Sequence, residues 1–418
     1  MAIAAVPHPA SVSMTESPEQ RLLLACARSQ PSVETIRQLV ETFGPTLNWD
    51  DLINTASWHG VLPLLYCNLA NAVPHQVPKP IFSRLLKLYL INSAHNQHLT
   101  TALEDIARLF AEHDLPVIFF KGPVLAEAVY GSIHLRRFSD LDILVPEQNV
   151  SQVRQLLIDN GFQPKRLGEA EKAEDYFSSR VWDDTFIHSS RQVTIDLHWQ
   201  LMPDYFFVAF NSDEIWARRQ TVAMHQVELS SLNPEDLLLY LCTHGSKELW
   251  RHLIWICDIA EMVRGYPDLP WPHLLERAQA LRIERMFLLG LNLAHELLDM
   301  PLPVALQSRI EQSRPLKRLT AECKQRLFPK VPINAESAAT GFWLFHNPLH
   351  LEMRDRLQDR LPQYWLMLKF FVTPNEEDYQ FMKLPKPLSF LYYLVRPIRI
   401  LDKWGIVRKA TFGIFNPP

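Results

Sequence analysis

The sequence predicts a helix-rich α+β fold, in which a small mixed β-sheet separates an N-terminal from a C-terminal helical region. Three observations support this class. Apolar residues recur at helical spacing from residue 19 to about residue 113. Short apolar or alternating runs, typical of strands, occur between residues 114 and 232. From residue 233 onward the helical spacing returns.

These changes of pattern predict five consecutive parts. They are a disordered tail at 1–18, an N-terminal helical region at 19–113, an α/β core at 114–232, a helical domain at 233–330, and a proline-containing C-terminal helical extension at 331–418. The tail is rich in alanine, serine and proline and lacks the basic start of a signal peptide. We therefore expect no secretory leader there.

Glycine and proline mark the helices of the N-terminal region. We expect Gly44 to end a helix that covers Val33 to Phe43, and His59-Gly60 to interrupt the helical pattern of residues 49–70. Pro78 and Pro80 mark the start of a long helix that runs to about Ala111. The region is therefore predicted to be helical throughout.

A strand, a turn and a helix follow in the α/β core. The apolar run Val117 to Phe120 predicts a strand that ends at Lys121-Gly122. Pro123 is expected at the first position of a compact helix and Gly131 just past its end, where these residue types are favoured. Lys121 thus lies beside a helix N-terminus, which favours contact with an anion, although a solvated turn lysine is the alternative.

Two carboxylates lie on the next predicted strand. Side chains alternate along a strand, so Asp140 and Asp142 share one face while Leu141 and Ile143 point into a core. Two ionised carboxylates on one face repel each other unless a cation lies between them. Oxygen ligands that are few and open to solvent suit Mg²⁺ bound together with substrate phosphates.

A third carboxylate follows on a later strand. In Val193 to Trp199 the apolar residues occupy one face, and Asp196 and His198 occupy the other. Residues 181–188 are predicted to form its hairpin partner, with Asp184 as a weaker candidate ligand. If Asp196 lies beside the first pair, the three acids form a site for two metal ions.

The order of these motifs resembles the DNA polymerase beta-like nucleotidyltransferase superfamily, and more narrowly a bacterial family of uncharacterised nucleotidyltransferases. The motifs that carry the resemblance are Phe120-Lys-Gly-Pro-Val-Leu125, Arg136 with Asp140-Leu-Asp-Ile-Leu-Val145, Ile195-Asp-Leu-His-Trp199, His59-Gly-Val-Leu-Pro63, Asn233-Pro-Glu-Asp-Leu-Leu238, His244-Gly245 and Tyr392-Tyr-Leu-Val-Arg-Pro397. The resemblance implies a nucleotidyltransferase core.

The resemblance also implies the roles of individual residues. Asp140, Asp142 and Asp196 would be catalytic and hold Mg²⁺, with two ions expected and a nucleoside triphosphate (NTP) as substrate. The residues implied at the nucleotide are Lys121, Gly122, Arg136, Arg137 and Ser139. The two arginines are equally compatible with ion pairs to the acids. The chain departs from the superfamily at Pro123, which stands where Gly or Ser usually offers a backbone N–H.

The implied activity is the transfer of a nucleoside monophosphate to a hydroxyl acceptor, with release of pyrophosphate. The alternative is a catalytically inactive scaffold that binds a nucleotide or a protein. An RNA-modifying transferase is a third hypothesis, which the net charge of −4 makes less favourable. A small molecule, a sugar or a protein is therefore expected as acceptor in preference to nucleic acid.

The remaining sequence predicts helices and loops. His244, Lys247, Arg251 and Asp258 are predicted either to line a cleft opposite the acids, or to be structural, with His244 buried and Asp258 paired with an arginine. Val222 to Leu229 predicts an edge strand, and Leu349 to Val372 an amphipathic helix. Charged residues 165–175 predict a surface loop, and proline-rich residues 328–348 a linker.

Composition indicates the compartment. The five cysteines are scattered and form no Cys-x-x-Cys pair, as is typical of free thiols in a reducing compartment. No run reaches the roughly 18 apolar residues of a membrane-spanning helix, so a cytoplasmic protein is expected. The aromatic patch of Phe390, Tyr392 and Tyr393 is expected to dock on the helical core, with contact to a membrane surface as the lesser alternative.

Overall fold

The computed structural model describes residues 16–165, 182–225, 227–329, 348–374 and 376–403. These residues form two compact units. The larger unit comprises the described residues up to 204 together with 208–355, and the smaller comprises 205–207 and the described residues from 356 onward. The predicted tail up to residue 15, the charged loop from residue 166 and the linker at 330–347 lie outside the described residues.

Five helices form the N-terminal region. They are α1 (Pro18–Cys26), α2 (Val33–Phe43), α3 (Trp49–Trp58), α4 (Leu62–Ala72) and α5 (Lys79–Glu112). Helix α2 ends at Gly44 as predicted. The pattern over residues 49–70 breaks at Gly60, whose φ of +73° is costly for a residue with a side chain. The long helix begins at Lys79 and spans 34 residues.

A mixed sheet of five strands follows. The strands are β1 (Ile118–Phe119), β2 (Leu141–Leu144), β3 (Gln163–Pro164), β4 (Asp183–His188) and β5 (Val193–His198), in the spatial order β1-β2-β5-β4-β3. Only the pairing of β2 with β5 is parallel. The predicted hairpin between residues 181–188 and 193–199 is therefore present as β4 and β5.

One face of the sheet packs on a hydrophobic core. Leu141 and Ile143 of β2 and Ile195 and Leu197 of β5 point into it, together with Phe110 of α5. Each is at most 1% exposed, so this face is fully covered. The alternation predicted from the sequence is thus realised, and the residues between them point to the opposite face.

Two short helices connect the strands. Helix α6 (Gly122–Tyr130) follows β1 and ends at Gly131 in the left-handed conformation, as predicted. It begins one residue before Pro123, at Gly122. Helix α7 (Val150–Asp159) ends at Asn160 and Gly161, also as predicted.

The single edge strand expected over Val222–Leu229 is wrong. These residues form a hairpin of β6 (Gln220–Met224) and β7 (Val227–Ser231), preceded by helix α8 (Ser212–Arg218). The two strands form a sheet of their own. The chain turns at His225, which adopts φ of +50° although no glycine or proline marks the turn. The sequence therefore contains no typical turn residue here from which the hairpin could be predicted.

Helices dominate the remainder of the larger unit. They are α9 (Pro234–Lys247), α10 (Leu253–Gly265), α11 (Trp271–Ala280), α12 (Glu284–Leu298), α13 (Val304–Gln312), α14 (Arg314–Leu327) and α15 (Pro348–Glu352). Asn233 caps α9 by accepting a hydrogen bond from the Asp236 N–H. Helix α10 packs on α6, α9 and α12.

The amphipathic segment Leu349–Val372 does not form one continuous helix. After α15 the chain turns so that the Asp355 carboxylate accepts hydrogen bonds from the Glu284 and Arg285 N–H groups at 3.0 and 2.8 Å. These are orphan donors at the start of α12, so the turn satisfies that helix end. A 3₁₀ turn covers Leu357–Arg360, and α-helical structure resumes at α16 (Leu361–Val372) in the smaller unit.

The smaller unit contains α16, α17 (Glu376–Phe381) and α18 (Tyr392–Lys403). The predicted α+β class is confirmed by this abundance of helix around a mixed sheet. All five cysteines are free, and four of them are buried. Among the described residues, no helix combines the length and apolar character needed to span a bilayer.

Candidate functional site

A cavity of about 430 Å³ lies between the polar face of the five-stranded sheet and helices α9 and α10. It receives side chains from β2, β4 and β5, from the turn before α6, and from the segment that precedes β2. The charged and polar residues that line it are Lys121, Arg136, Arg137, Ser139, Asp140, Asp142, Asp183, Asp196, His198, Tyr240, His244, Lys247, Glu248 and Asp258. Gly122 and the aromatic residues Trp182 and Trp255 complete the part of the wall discussed below.

The register of the sheet places two of the predicted carboxylates side by side. Strands β2 and β5 run parallel, with Asp142 directly opposite Asp196 and Leu144 opposite His198. Because side chains alternate, Asp142, Asp196 and His198 all leave the core and point to the cavity. Asp196 accepts a hydrogen bond of 2.9 Å from the Thr185 hydroxyl on β4, which fixes its orientation.

Asp142 is already engaged by two neighbours. The Lys121 ammonium donates to Asp142 Oδ1 at 2.8 Å, and His198 Nε2 lies 3.3 Å from the same oxygen. All three side chains are largely withdrawn from water, with exposed fractions of 14%, 7% and 6% for Lys121, Asp142 and His198. The turn after β1 therefore delivers a cation directly to the central carboxylate.

The electrostatics of this pair favour the charged forms. Burial alone would raise the pKa of Asp142, but the charge of Lys121 and the hydrogen bond with His198 hold that pKa well below its usual range. Burial would lower the pKa of Lys121, yet Asp142 raises it above the ordinary lysine value. Both groups are thus ionised around neutral pH, as a buried ion pair.

Asp140 precedes β2 rather than lying within it. Burial, together with the negative charges of Asp142 and Asp196, raises the pKa of Asp140 to about 6. This carboxyl group therefore experiences the repulsion that the sequence predicted for the acids. Gly122 faces the Asp140 carbonyl oxygen, which would lie 3.3 Å from a β-carbon at Gly122, and its φ of +52° also favours glycine.

A fourth carboxylate reaches the cavity from β4. Asp183 lies opposite His198 in the antiparallel pairing of β4 with β5, on the same face as Thr185 and Asp196. Burial raises the pKa of Asp183 to about 6. Asp184, the candidate suggested by the sequence, alternates to the other face and pairs with Arg154 at 3.2 Å. The sequence alone does not identify Asp183, because the register of β4 against β5 decides which of the two neighbouring acids reaches the cavity.

Arg136 is held away from the acids by a buried partner. Its guanidinium donates to both carboxylate oxygens of Asp258 on α10, at 2.7 and 2.8 Å, and the Tyr130 hydroxyl donates to Asp258 at 2.8 Å. This is the structural alternative predicted for Asp258. The pair also ties α10 to α6 and to the segment before β2. Arg136 is 6% exposed, so the guanidinium that borders the cavity is buried and held in place by Asp258.

The other two predicted nucleotide contacts lie nearer to solvent. Arg137 and Ser139 are exposed and line the mouth of the cavity. Arg137 donates to the Ser57 carbonyl oxygen at the end of α3, at 3.1 Å. The structure therefore brings all eight predicted site residues to one cavity, with Arg137 and Ser139 exposed and the other six buried or half-buried.

Helix α9 supplies the opposite wall. Lys247 pairs with Glu248 at 2.8 Å, and the Lys247 ammonium lies 5.5 Å from the centre of the Trp182 ring. His244 stacks on Tyr240 with ring centroids 5.7 Å apart, and burial lowers the pKa of His244 well below the ordinary value. A place for His244 and Lys247 beside the acids was one of the two alternatives drawn from the sequence, whereas Tyr240 and Glu248 carried no motif and were not predicted.

The ion pairs leave an excess of negative charge. Lys121 neutralises Asp142, Arg136 neutralises Asp258 and Lys247 neutralises Glu248. In the part of the chain that the structure describes, no cation lies within ion-pair distance of Asp140, Asp183 or Asp196. Within the described residues, these three carboxylates therefore have no cation paired with them.

This donor set has the chemistry that a hard divalent cation requires. Carboxylate oxygens are the ligands that Mg²⁺ prefers, and a cation would relieve the repulsion that raises the pKa of Asp140. Across the described residues, however, no three potential ligand side chains converge on one point. Lys121 holds Asp142, so a metal ion would bind Asp142 only by sharing or displacing that lysine.

The comparisons with known proteins agree with this architecture. A family of nucleotidyltransferases described as "Uncharacterised nucleotidyltransferase" matches residues 45–299, which is well over half of the chain and includes every residue of the cavity. The chain belongs to this family. A search of curated proteins found no match.

Proposed function

We propose that the protein is a Mg²⁺-dependent nucleotidyltransferase that moves a nucleoside monophosphate from an NTP to a hydroxyl acceptor. The observation that carries the proposal is the parallel register of Asp142 with Asp196, with Asp140 beside them in one cavity. The chain's membership of a nucleotidyltransferase family supports it. The mixed sheet with acids on adjacent strands is also what we expect of the polymerase beta-like superfamily.

The chain's own residues supply binding and proton transfer. Asp140, Asp142 and Asp196 are the residues that would hold up to two Mg²⁺ ions, and bound Mg²⁺ would supply positive charge at the phosphates. Arg137 and Ser139 contact the nucleotide at the mouth, and the pinned Arg136 and Gly122 shape the wall beside it. Asp196 accepts the proton of the acceptor hydroxyl, whose oxygen bonds to the α-phosphorus as the bond to the β-phosphate breaks.

Lys121 has two roles in this proposal. Before substrate binds, it neutralises Asp142 at 2.8 Å. When the nucleotide binds, its ammonium moves to the phosphates and stabilises the charge of the departing pyrophosphate. Pro123 removes one backbone donor from the adjacent helix N-terminus, so the ammonium provides a contact that the backbone there does not.

The charge of the cavity bears on the acceptor. Acids on the polar face of the sheet, which have no paired cation among the described residues, repel a polyanion, so a small molecule, a sugar or a protein hydroxyl is favoured over a nucleic acid. The free cysteines are consistent with a reducing compartment, and we place the activity in the cytoplasm.

The test is pyrophosphate release from each of the four NTPs with Mg²⁺ and cell extract as the source of acceptors. Asp140→Asn/Asp142→Asn is the inactive variant, and Asp184→Asn is the control because Asp184 points away from the cavity. Release with at least one NTP, lost only in the double variant, supports the proposal. Release that persists in the double variant would refute it, and nucleotide binding without release would favour the inactive scaffold.

A further inference from the structure

The smaller unit exposes an unusual share of apolar side chains. Thirteen of the nineteen large hydrophobic residues that are exposed among the described residues lie between residues 357 and 398. They are Leu357, Leu361, Tyr364, Trp365, Leu368, Tyr379, Phe381, Met382, Leu388, Phe390, Tyr393, Leu394 and Ile398. We call these thirteen residues the apolar surface. Concentrated exposure of this kind marks an interaction site.

Helix α16 contributes an ordered stripe to the apolar surface. Leu361, Tyr364, Trp365 and Leu368 recur at spacings of three and four residues, which places them on one side of the helix. Trp365 is 60% exposed. A tryptophan and a tyrosine flanked by leucines on one helix face are typical of helices that lie in a membrane interface.

In helix α18 a charged side chain is buried and apolar side chains are exposed, the reverse of an ordinary surface helix. Its buried side carries Arg396, which pairs with the buried Asp378 at 3.0 Å, as well as Tyr392 and Ile400. Its exposed side carries Tyr393, Leu394 and Ile398 of the apolar surface. The arginine is thus buried and paired, while aliphatic and aromatic side chains of the same helix face solvent. The buried ion pair fixes this orientation of α18, so the apolar side remains exposed.

The charge of this part of the chain selects the partner. Residues 356–403 contain eight lysines and arginines against five aspartates and glutamates, whereas residues 1–355 taken together carry a net charge of −9. Lys369 and Lys383, both exposed, directly follow Leu368 and Met382 of the apolar surface. A second copy would meet this positive surface with another positive surface, which disfavours self-association.

We propose that the apolar surface binds the interface of an anionic phospholipid bilayer. The aromatic and aliphatic side chains insert at the level of the headgroups, and Lys369 and Lys383 extend their ammonium groups to the lipid phosphates. Apolar burial and attraction to anionic lipid are the two signals that peripheral attachment requires. The inference is independent of the proposed transferase activity.

The experiment is flotation of the full-length protein with vesicles of phosphatidylcholine, alone or with about one quarter phosphatidylglycerol. We expect binding to the anionic vesicles that weakens as NaCl rises from about 0.1 M to about 1 M. Trp365→Ser/Leu368→Ser should reduce the bound fraction about tenfold or more, since each inserted side chain contributes through its buried area. Lys369→Glu/Lys383→Glu should reduce binding to anionic vesicles and remove its dependence on salt.

Matched controls separate attachment from general damage. Leu90→Ser/Ile91→Ser removes two equally exposed aliphatic residues from α5, and Lys79→Glu/Lys87→Glu reverses two exposed lysines there; both should bind as the wild type does. The thermal unfolding midpoint of each variant verifies its folding. Absence of flotation with anionic vesicles would overturn the proposal. So would a wild-type dimer in analytical ultracentrifugation that the Trp365→Ser/Leu368→Ser variant loses.

Discussion

The Lys121 ammonium lies 2.8 Å from Asp142 Oδ1, in a cavity that Asp140 and Asp196 also line. The pair is formed by the turn after β1 and the middle of β2, which are 21 residues apart in the sequence. It stabilises the folded chain, because an isolated buried carboxylate is costly. It also occupies the carboxylate that a metal ion would need, so under the proposed function a divalent cation would compete with Lys121 for Asp142.

Lys121→Met tests this competition. The variant leaves Asp142 buried without its cation, and we expect the free energy of unfolding to fall by about 3–5 kcal/mol in the absence of divalent ions. Mg²⁺ should then raise the unfolding midpoint of the variant more than that of the wild type, because the competitor has been removed. Thermal unfolding with and without Mg²⁺ measures both effects.

Lys247→Met is the matched control for Lys121→Met. Lys247 is exposed to the same extent and pairs with Glu248 in the same cavity. Its loss should reduce stability without increasing the response to Mg²⁺. An equal gain of Mg²⁺ response in both variants would contradict a specific competition at Asp142.

Asp183→Asn tests the carboxylate that the structure adds to the predicted set. Asp183 lies in the cavity opposite His198. Its neutralisation should raise the Mg²⁺ concentration needed for nucleotide binding about tenfold or more, the usual scale for a group that supports a metal site. Titration of nucleotide binding against Mg²⁺ measures this. Asp184→Asn, one residue away on the opposite face, should behave as the wild type. If the Asp184 variant were the weaker binder, the assigned strand register would be wrong.

Arg136→Met tests the buried pair with Asp258. It leaves Asp258 without its cation, and the free energy of unfolding should fall by about 3–5 kcal/mol in urea denaturation. Adding Asp258→Asn should restore part of the loss, because the amide oxygen still accepts the Tyr130 hydroxyl. Arg137→Met, an exposed neighbour, should change stability by less than about 0.5 kcal/mol. An equal loss in the two single variants would show that burial of Arg136 is not the cause.

His59 makes the stability of the larger unit sensitive to acid. Burial lowers the pKa of His59 to about 4 from an ordinary value of 6.5, and its Nδ1 accepts the Leu253 N–H at 3.3 Å, which requires the neutral ring. The unfolded chain therefore binds the proton more readily than the folded chain. The stability contributed by His59 is complete above pH 6.5 and is lost as the pH falls towards 4, by up to about 3 kcal/mol.

Urea denaturation between pH 7.5 and about pH 4 measures the His59 effect. His59→Asn retains an acceptor without the titration, so its stability should fall less steeply with acid than that of the wild type. His350, whose pKa burial also lowers to about 4, remains in the variant and should preserve part of the slope. The exposed His75→Asn is the control, and an equally shallow slope there would contradict the assignment to His59.

The positions of the acids could be predicted from the sequence because alternation is a local property of strands. Asp142 and Asp196 point away from the core for the reason that Ile143 and Leu197 point into it. The ends of α2, α6 and α7 could be predicted from Gly44, Gly131 and Gly161, because glycine directly after a helical pattern is a local signal of a helix end. The family resemblance added the expectation that the strands would be neighbours, and the register satisfies it.

The partners of the charged groups could not be predicted in this way. Whether Arg136 contacts phosphate or Asp258 depends on how α10 packs against α6, which no short pattern encodes. The same holds for the turn at Asp355, whose benefit arises at the distant N-terminus of α12. Long-range pairing therefore decided the features that the sequence left open.

The order of the strands has a consequence for synthesis on the ribosome. Strand β5 is the last of the five to be made, yet it lies in the middle of the sheet, between β2 and β4. Until residue 198 has left the exit tunnel, β2 presents one bare edge and Asp142 lacks its neighbour Asp196. Strands β2 and β4 therefore cannot join into one sheet before β5 is made, and until then their unpaired edges are open to mispairing.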